Sequence, residues 1–208
     1  MYTSEVQKLN SVTFPEFTGE RVYMEKFYKQ DGLPKHLSRW QNTVDQMLDS
    51  VDTDQPIFIM IDQGIVKPNT SHRRPGPHID GYWIEALNAH GGSSSGHRMP
   101  ISHHNTNIHR QPHSGWQTGG SNWKTIDFVE PESIILASDV VGCKAYVGQW
   151  EGDIGEGGDV SHLNLTDLLN FPMHSHVAYK GNVTFIHESI PIPIETQRTL
   201  VRLNLKGI

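Results

Sequence analysis

The sequence predicts a mainly β fold, a sandwich or jelly roll, with a helical segment ahead of it. Two observations carry this prediction: short strand-like runs follow one another from residue 56 onward, and one amphipathic helical pattern precedes them. At 208 residues the chain fits a single domain, 1–208, long enough to bury one core. Residues 1–55 read as an N-terminal helical buttress, and residues 56–208 as the β body.

The helix is predicted between Pro34 and Asp52. There Leu37, Trp40, Val44, Met47, Leu48 and Val51 recur at spacings of three and four, and Pro34 stands near the first turn. Residues 20–30, ERVYMEKFYKQ, suit either a helix or a strand. The strand candidates are PIFIMIDQGIV, HIDGYWIEAL, WKTIDF, ESIILAS, KAYVGQW, HVAYK, NVTFIHE and RTLVRLNL, rich in β-branched and aromatic residues and separated by turns. KGN at 180–182 and DVVG at 139–142 are expected to be tight hairpin turns. LTDLLNF at 165–171 is expected to form a turn or two of helix.

Composition narrows the function classes. Lys and Arg number 17 against 23 Asp and Glu, a formal charge of −6, so the chain as a whole is not a general nucleic-acid or anionic-membrane binder. The longest apolar run, IFIMI, is too short to span a bilayer, and MYTSEVQKLN has no apolar signal core. One cysteine, Cys143, allows no internal disulfide; together these predict a soluble, cytoplasmic protein. Thirteen histidines raise the possibility of a metal site, eight of them between His72 and His113. Six lie in the polar stretch 89–122, which has too few apolar residues to bury and reads as a long loop, a candidate lid. The glycine-rich EGDIGEGGD, 151–159, lacks the basic residue and helix of a phosphate loop and reads as a turn.

Within RRPGPHIDGYW, His78 and Asp80 are two apart. On a strand they face the same way, about 6.5 Å apart, and could present an imidazole and a carboxylate to one ion. A third ligand must come from a neighbouring strand, with His162, His174, His176 and His187 as candidates. His187 ends the run NVTFI, and RTLVRLNL follows it. There Thr199, Val201, Leu203 and Leu205 form one face, leaving Arg198, Leu200 and Arg202 on the other. Two arginines on one face either pair with carboxylates of a neighbouring strand or offer their planar forks to a bound carboxylate.

His78-Ile79-Asp80, His187 and Arg198, in that order, resemble the H-x-D…H…R signature of the Fe(II)- and 2-oxoglutarate-dependent oxygenases. The resemblance implies a double-stranded β-helix over residues 56–208, buttressed by the N-terminal part. It implies Fe(II) held by His78, Asp80 and His187, with dioxygen and 2-oxoglutarate as cosubstrates. Arg198 would bind the distal carboxylate of 2-oxoglutarate, and Arg202 would share that task or hold an anionic substrate group. The family often has a polar residue two beyond the arginine; here it is Leu200, so a second donor must come from elsewhere, with Lys144 and Tyr146 as candidates. Tyr82 and Trp83 would line a substrate pocket or belong to the barrel core. The substrate class, small molecule or macromolecular side chain, and the oligomeric state stay open. Two competing readings are a cupin-like metal protein that uses Glu85 and no 2-oxoglutarate, and a non-catalytic jelly roll for binding or structure.

Overall fold

The structure, a computed structural model, describes residues 1–80, 132–155 and 158–206. It is mainly β, built as two antiparallel sheets and one short helix. The strands are β1 Tyr2–Ser4, β2 Val6–Ser11, β3 Arg21–Phe27, β4 Ile57–Val66, β5 His78–Ile79, β6 Glu132–Ser138, β7 Cys143–Trp150, β8 Leu169–Pro172, β9 Val177–Asn182, β10 Ile186–Ser189 and β11 Thr196–Lys206. One sheet has the order β2-β9-β6-β11-β4-β3; in the other, β1 and β8 flank one side of β7, followed by β10 and β5. Strands β4 to β11 therefore interleave as 9-6-11-4 facing 8-7-10-5, the strand order of a jelly roll.

Alternation along the central strands explains the layers. On β4 and β11, Ile57, Ile59, Ile61, Val201, Leu203 and Leu205 face outward, where they join Leu37, Trp40, Val44, Met47 and Leu48 in one buried cluster. The opposite faces of the same strands carry Phe58, Met60 and Leu200, which pack with Met24 inside the sandwich. Ile134 and Leu136 of β6 meet Cys143 and Ala145 of β7 there too. The helical pattern thus buttresses the larger sheet. It is shorter than expected: a 3₁₀ segment, Lys35–Trp40, runs into α1, Gln41–Leu48. Residues 1–55 also add β1, β2 and β3 to the sheets, and the ambiguous ERVYMEKFYKQ is strand.

Several local expectations are overturned. KGN is not a turn: Lys180, Gly181 and Asn182 end β9 in register with β6, the first two also with β2, and the chain reverses after them, where Phe185 N–H donates to Asn182 O. Gly181 is needed in that strand because a Cβ there would lie 2.3 Å from the Phe185 ring. DVVG is a short bend, but no hairpin, since β6 and β7 belong to different sheets. LTDLLNF closes one turn, Leu168 N–H to Leu165 O, and then enters β8. WKTIDF, most of HIDGYWIEAL and the loop 89–122 lie outside the described residues.

Candidate metal centre

The site is a consequence of strand register. β5 and β10 pair antiparallel, with His78 directly opposite His187 and Ile79 opposite Ile186. Ile79 and Ile186 pack outward in one cluster, which turns His78 and His187 inward, their rings 4.6 Å apart between centroids. Asp80, two residues after His78, shares the inward face, and His187 Nε2 lies 3.3 Å from its Oδ2. His78, Asp80 and His187 each offer one ligand atom, and these atoms all lie within 4.8 Å of one another.

Neighbouring groups hold the two rings. His78 Nδ1–H donates to Gly76 O at 2.8 Å, which leaves Nε2 for a metal, the arrangement that fixes a ligand's tautomer. His187 is stacked on Phe185, with an interplanar angle of 16°. The segment preceding β5 is in turn held by the chain after β7: Val160 N–H donates to Pro77 O, and His78 forms a bridge with Asp159. Gly158, at φ +81°, approaches so closely that a Cβ there would lie 2.1 Å from Ile79 O. Gly155 N–H donates to Asp159 O and Gly158 N–H to Gly155 O, so the described residues at this point form a tight connection that clamps the strand carrying His78.

Electrostatics favour the ligand forms of His78 and Asp80. Burial, reinforced by the neighbouring His187, pushes the His78 pKa down to about 3, so its imidazole is neutral. Burial alone would raise Asp80, but Arg202 and His187 outweigh it and hold its carboxyl well below the usual carboxylate range. Two neutral imidazoles and one carboxylate fit a divalent first-row ion with open positions, the donor set used by non-haem Fe(II). Cis ligands at about 2.1 Å from an octahedral ion stand about 3 Å apart, so the three groups would draw together from separations of up to 4.8 Å on binding one. His187 Nδ1 is buried without a hydrogen-bond partner, an atom that some further group must satisfy.

Both arginines of β11 face inward, but they differ in their partners. Arg202 Nη1 donates to Asp80 Oδ2 at 2.6 Å, and Nη2 lies 3.6 Å from Met24 Sδ. Arg202 therefore stands on the candidate metal carboxylate. Arg198 is 0 % exposed, and its bonds run to Ser138 Oγ at 3.0 Å, Cys143 Sγ at 3.2 Å and Ser189 Oγ at 3.5 Å. Among the described residues it has no carboxylate partner. A guanidinium buried among neutral groups is costly unless an anion joins it. A cleft lined by Leu136, Ser138, Cys143, Met173, Tyr179 and Leu200 reaches the partners of Arg198.

Other expected residues are placed elsewhere. Lys144 Nζ and the Tyr146 hydroxyl both reach Glu188 Oε1, each at 2.7 Å, on the opposite face of β7 and β10 from Cys143 and Ser189. They are therefore not donors beside Arg198; the hydroxyls of Ser138 and Ser189 occupy that place. His162, His174 and His176 are not part of the cluster formed by His78, Asp80 and His187. Tyr82, Trp83 and Glu85 lie outside the described residues.

The sequence reading missed Asp62, a buried carboxylate on the inner face of β4 that meets Arg73 Nη1 at 2.9 Å and Arg21 Nε at 3.3 Å. Its signal was available: an aspartate at an inward position ends the apolar run IFIMI. Ser189 was also legible, two residues beyond His187 and so on the same face.

No family model and no curated protein matches the sequence. Among solved structures, the chain is similar to EvdO2 from Micromonospora carbonacea var. aurantiaca, crystallised with 2-oxoglutarate. The identity is 9%, 89% of this chain and 67% of that chain are covered, and the TM-score is 0.40; so distant a likeness says nothing about activity.

Proposed function

We propose that the protein is an Fe(II)- and 2-oxoglutarate-dependent oxygenase acting on a small-molecule or side-chain substrate. The observation that carries this reading is the conjunction of His78, Asp80 and His187 in one cluster with the buried Arg198 on the facing sheet. Arg198 and Arg202 are four residues apart on one face of β11, about 13 Å along the strand. Arg202 touches Asp80, so that separation leaves room for one small dicarboxylate between a metal-bound end and the Arg198 guanidinium, with Leu200 beneath its methylenes. When bound, Fe(II) and 2-oxoglutarate would supply the oxidising chemistry.

The chain's own groups have distinct tasks in this account. His78, Asp80 and His187 hold one face of the ion and leave the other face open. Arg198 receives the distal carboxylate, with the hydroxyls of Ser138 and Ser189 completing its hydrogen bonds. Arg202 would orient the Asp80 carboxylate by donating to its Oδ2.

The test is 2-oxoglutarate turnover under oxygen with added Fe(II), followed as succinate formed. The reading expects slow succinate production without substrate, lost in His187→Ala and strongly reduced in Arg198→Gln. Absence of succinate from metal-loaded wild type, with a panel of amino acids, nucleosides and sugars present, would reject it.

A further inference from the structure

One inward position of β11 lies past the metal centre, on the side away from Arg198. Asn204 follows Arg202 by two residues and shares the inner face with Arg198, Leu200 and Arg202, about 6.5 Å beyond Arg202 along the strand. Arg202 donates to Asp80, so along β11 the candidate metal carboxylate stands between Arg198, the cosubstrate end, and Asn204. A molecule approaching the ion from the side opposite the 2-oxo acid meets this asparagine.

The wall around Asn204 is apolar. It is in register with Phe58 on β4 and with Ile134 on β6, both of which face into the sandwich. Ile134 is in turn opposite Gly181, where a Cβ would lie 2.3 Å from the Phe185 ring, the ring on which His187 is stacked. The same wall therefore carries Asn204 and the support of a metal ligand. Asn204 is 1 % exposed, and among the described residues neither its amide nitrogen nor its amide oxygen has a hydrogen-bond partner. Two unsatisfied amide atoms in apolar surroundings lower stability, whereas a leucine of nearly the same shape would not. A polar residue kept at such a cost beside a site points to a ligand that satisfies it.

We infer that Asn204 recognises the substrate, and that the substrate presents an amide edge to it, with N–H and C=O on the same side, as in a primary carboxamide or a lactam ring. The asparagine amide offers a donor nitrogen and an acceptor oxygen side by side, and such an edge meets both with two parallel hydrogen bonds. A neutral partner suits the place, because a charged group would be buried against Phe58 and Ile134. A trans secondary amide points its N–H and C=O in opposite directions and satisfies only one of the two atoms. That this ligand is a substrate rests on the oxygenase reading; the amide site rests on Asn204 and its neighbours.

The test is ligand-observed NMR titration with acetamide, 2-pyrrolidinone and N-methylacetamide. Each is run on metal-free protein and on protein loaded with diamagnetic Zn(II) and 2-oxoglutarate. Saturable binding of acetamide or 2-pyrrolidinone is expected, weakened about tenfold or more in Asn204→Leu, as loss of paired hydrogen bonds implies, and unchanged in Gln7→Leu on exposed β2. N-Methylacetamide, which is trans, should bind more weakly than the better of the other two, and the preferred probe tells a carboxamide from a lactam. Without any probe, Asn204→Leu should melt at the wild-type temperature or several degrees above it, whereas loss of a structural asparagine would lower it. The proposal is overturned by no saturable binding of acetamide or 2-pyrrolidinone, by equal binding in wild type and Asn204→Leu, by equal binding of the trans amide, or by a melting temperature several degrees lower in the variant. Failure of Zn(II) and 2-oxoglutarate to bind would instead sink the oxygenase reading, and the metal-free titration would still decide the amide site.

Discussion

His78 and His187, 109 positions apart in the chain, are direct register partners on β5 and β10, with ring centroids 4.6 Å apart. The pairing makes one centre from two distant strands. His187→Ala should therefore lower metal affinity on the order of 100-fold or more, since it removes a ligand where loss of supporting partners alone costs 10–100-fold. Equilibrium titration with Fe(II) or Co(II) measures this, with His174→Ala as the control expected to bind as wild type.

Arg198 has only neutral partners among the described residues, so its charge is a cost that a bound carboxylate offsets. Wild type should gain thermal stability when 2-oxoglutarate is added to the metal-loaded protein, by linkage to binding. Arg198→Gln should show little of that gain, and its affinity for 2-oxoglutarate should fall roughly 10- to 100-fold. Without 2-oxoglutarate its melting temperature should be equal to or above that of wild type. Thermal scans with and without the acid test both statements.

Gly158 holds a left-handed φ of +81° against the metal strand, where a Cβ would lie 2.1 Å from Ile79 O. Gly158→Ala should strain the backbone by about 1–3 kcal/mol and shift β5. The expected readouts are a melting temperature lower by several degrees and weaker metal binding, whereas Gly19→Ala, with a similar φ of +76° but nothing within 4 Å, should leave metal binding intact.

Asp62 gives a pH-dependent prediction. Burial would raise its pKa, but the adjacent His72 ring, 3.5 Å away, and the charges of Arg73 and Arg21 hold it below the ordinary carboxylate value. A depressed folded pKa contributes stability that is present above the unfolded value, about 3.9, and is lost as pH falls towards the folded value. Asp62→Asn should cost about 3–5 kcal/mol at pH 7, because it leaves buried cations without their carboxylate. Below pH 4 the gap between wild type and variant should narrow; a constant gap in urea denaturation from pH 7 to pH 3 would contradict this.

Much of this arrangement could be read from the sequence, where local pattern decides it. The alternation in RTLVRLNL places Arg198, Leu200 and Arg202 on one face, and the spacing of three and four from Leu37 to Val51 marks the segment that covers the larger sheet. What could not be read was set by pairing across distance. Nothing near Arg202 announces that its partner is Asp80, 122 positions earlier. KGN has the composition of a turn, yet Gly181 lies in a strand because the Phe185 ring needs the space. Lys144 and Tyr146 looked available until the register of β7 with β10 put them beside Glu188, facing away from Arg198.

The central claim is that one ion and one 2-oxo acid are held together between His187 and Arg198. The measurement that tests it most directly is an anaerobic titration of 2-oxoglutarate into the Fe(II)-loaded protein, followed by visible absorption. The account predicts a weak charge-transfer band that saturates with 2-oxoglutarate, is absent in His187→Ala and needs far more acid in Arg198→Gln. A wild type that binds Fe(II) but develops no band at any concentration of 2-oxoglutarate would contradict it.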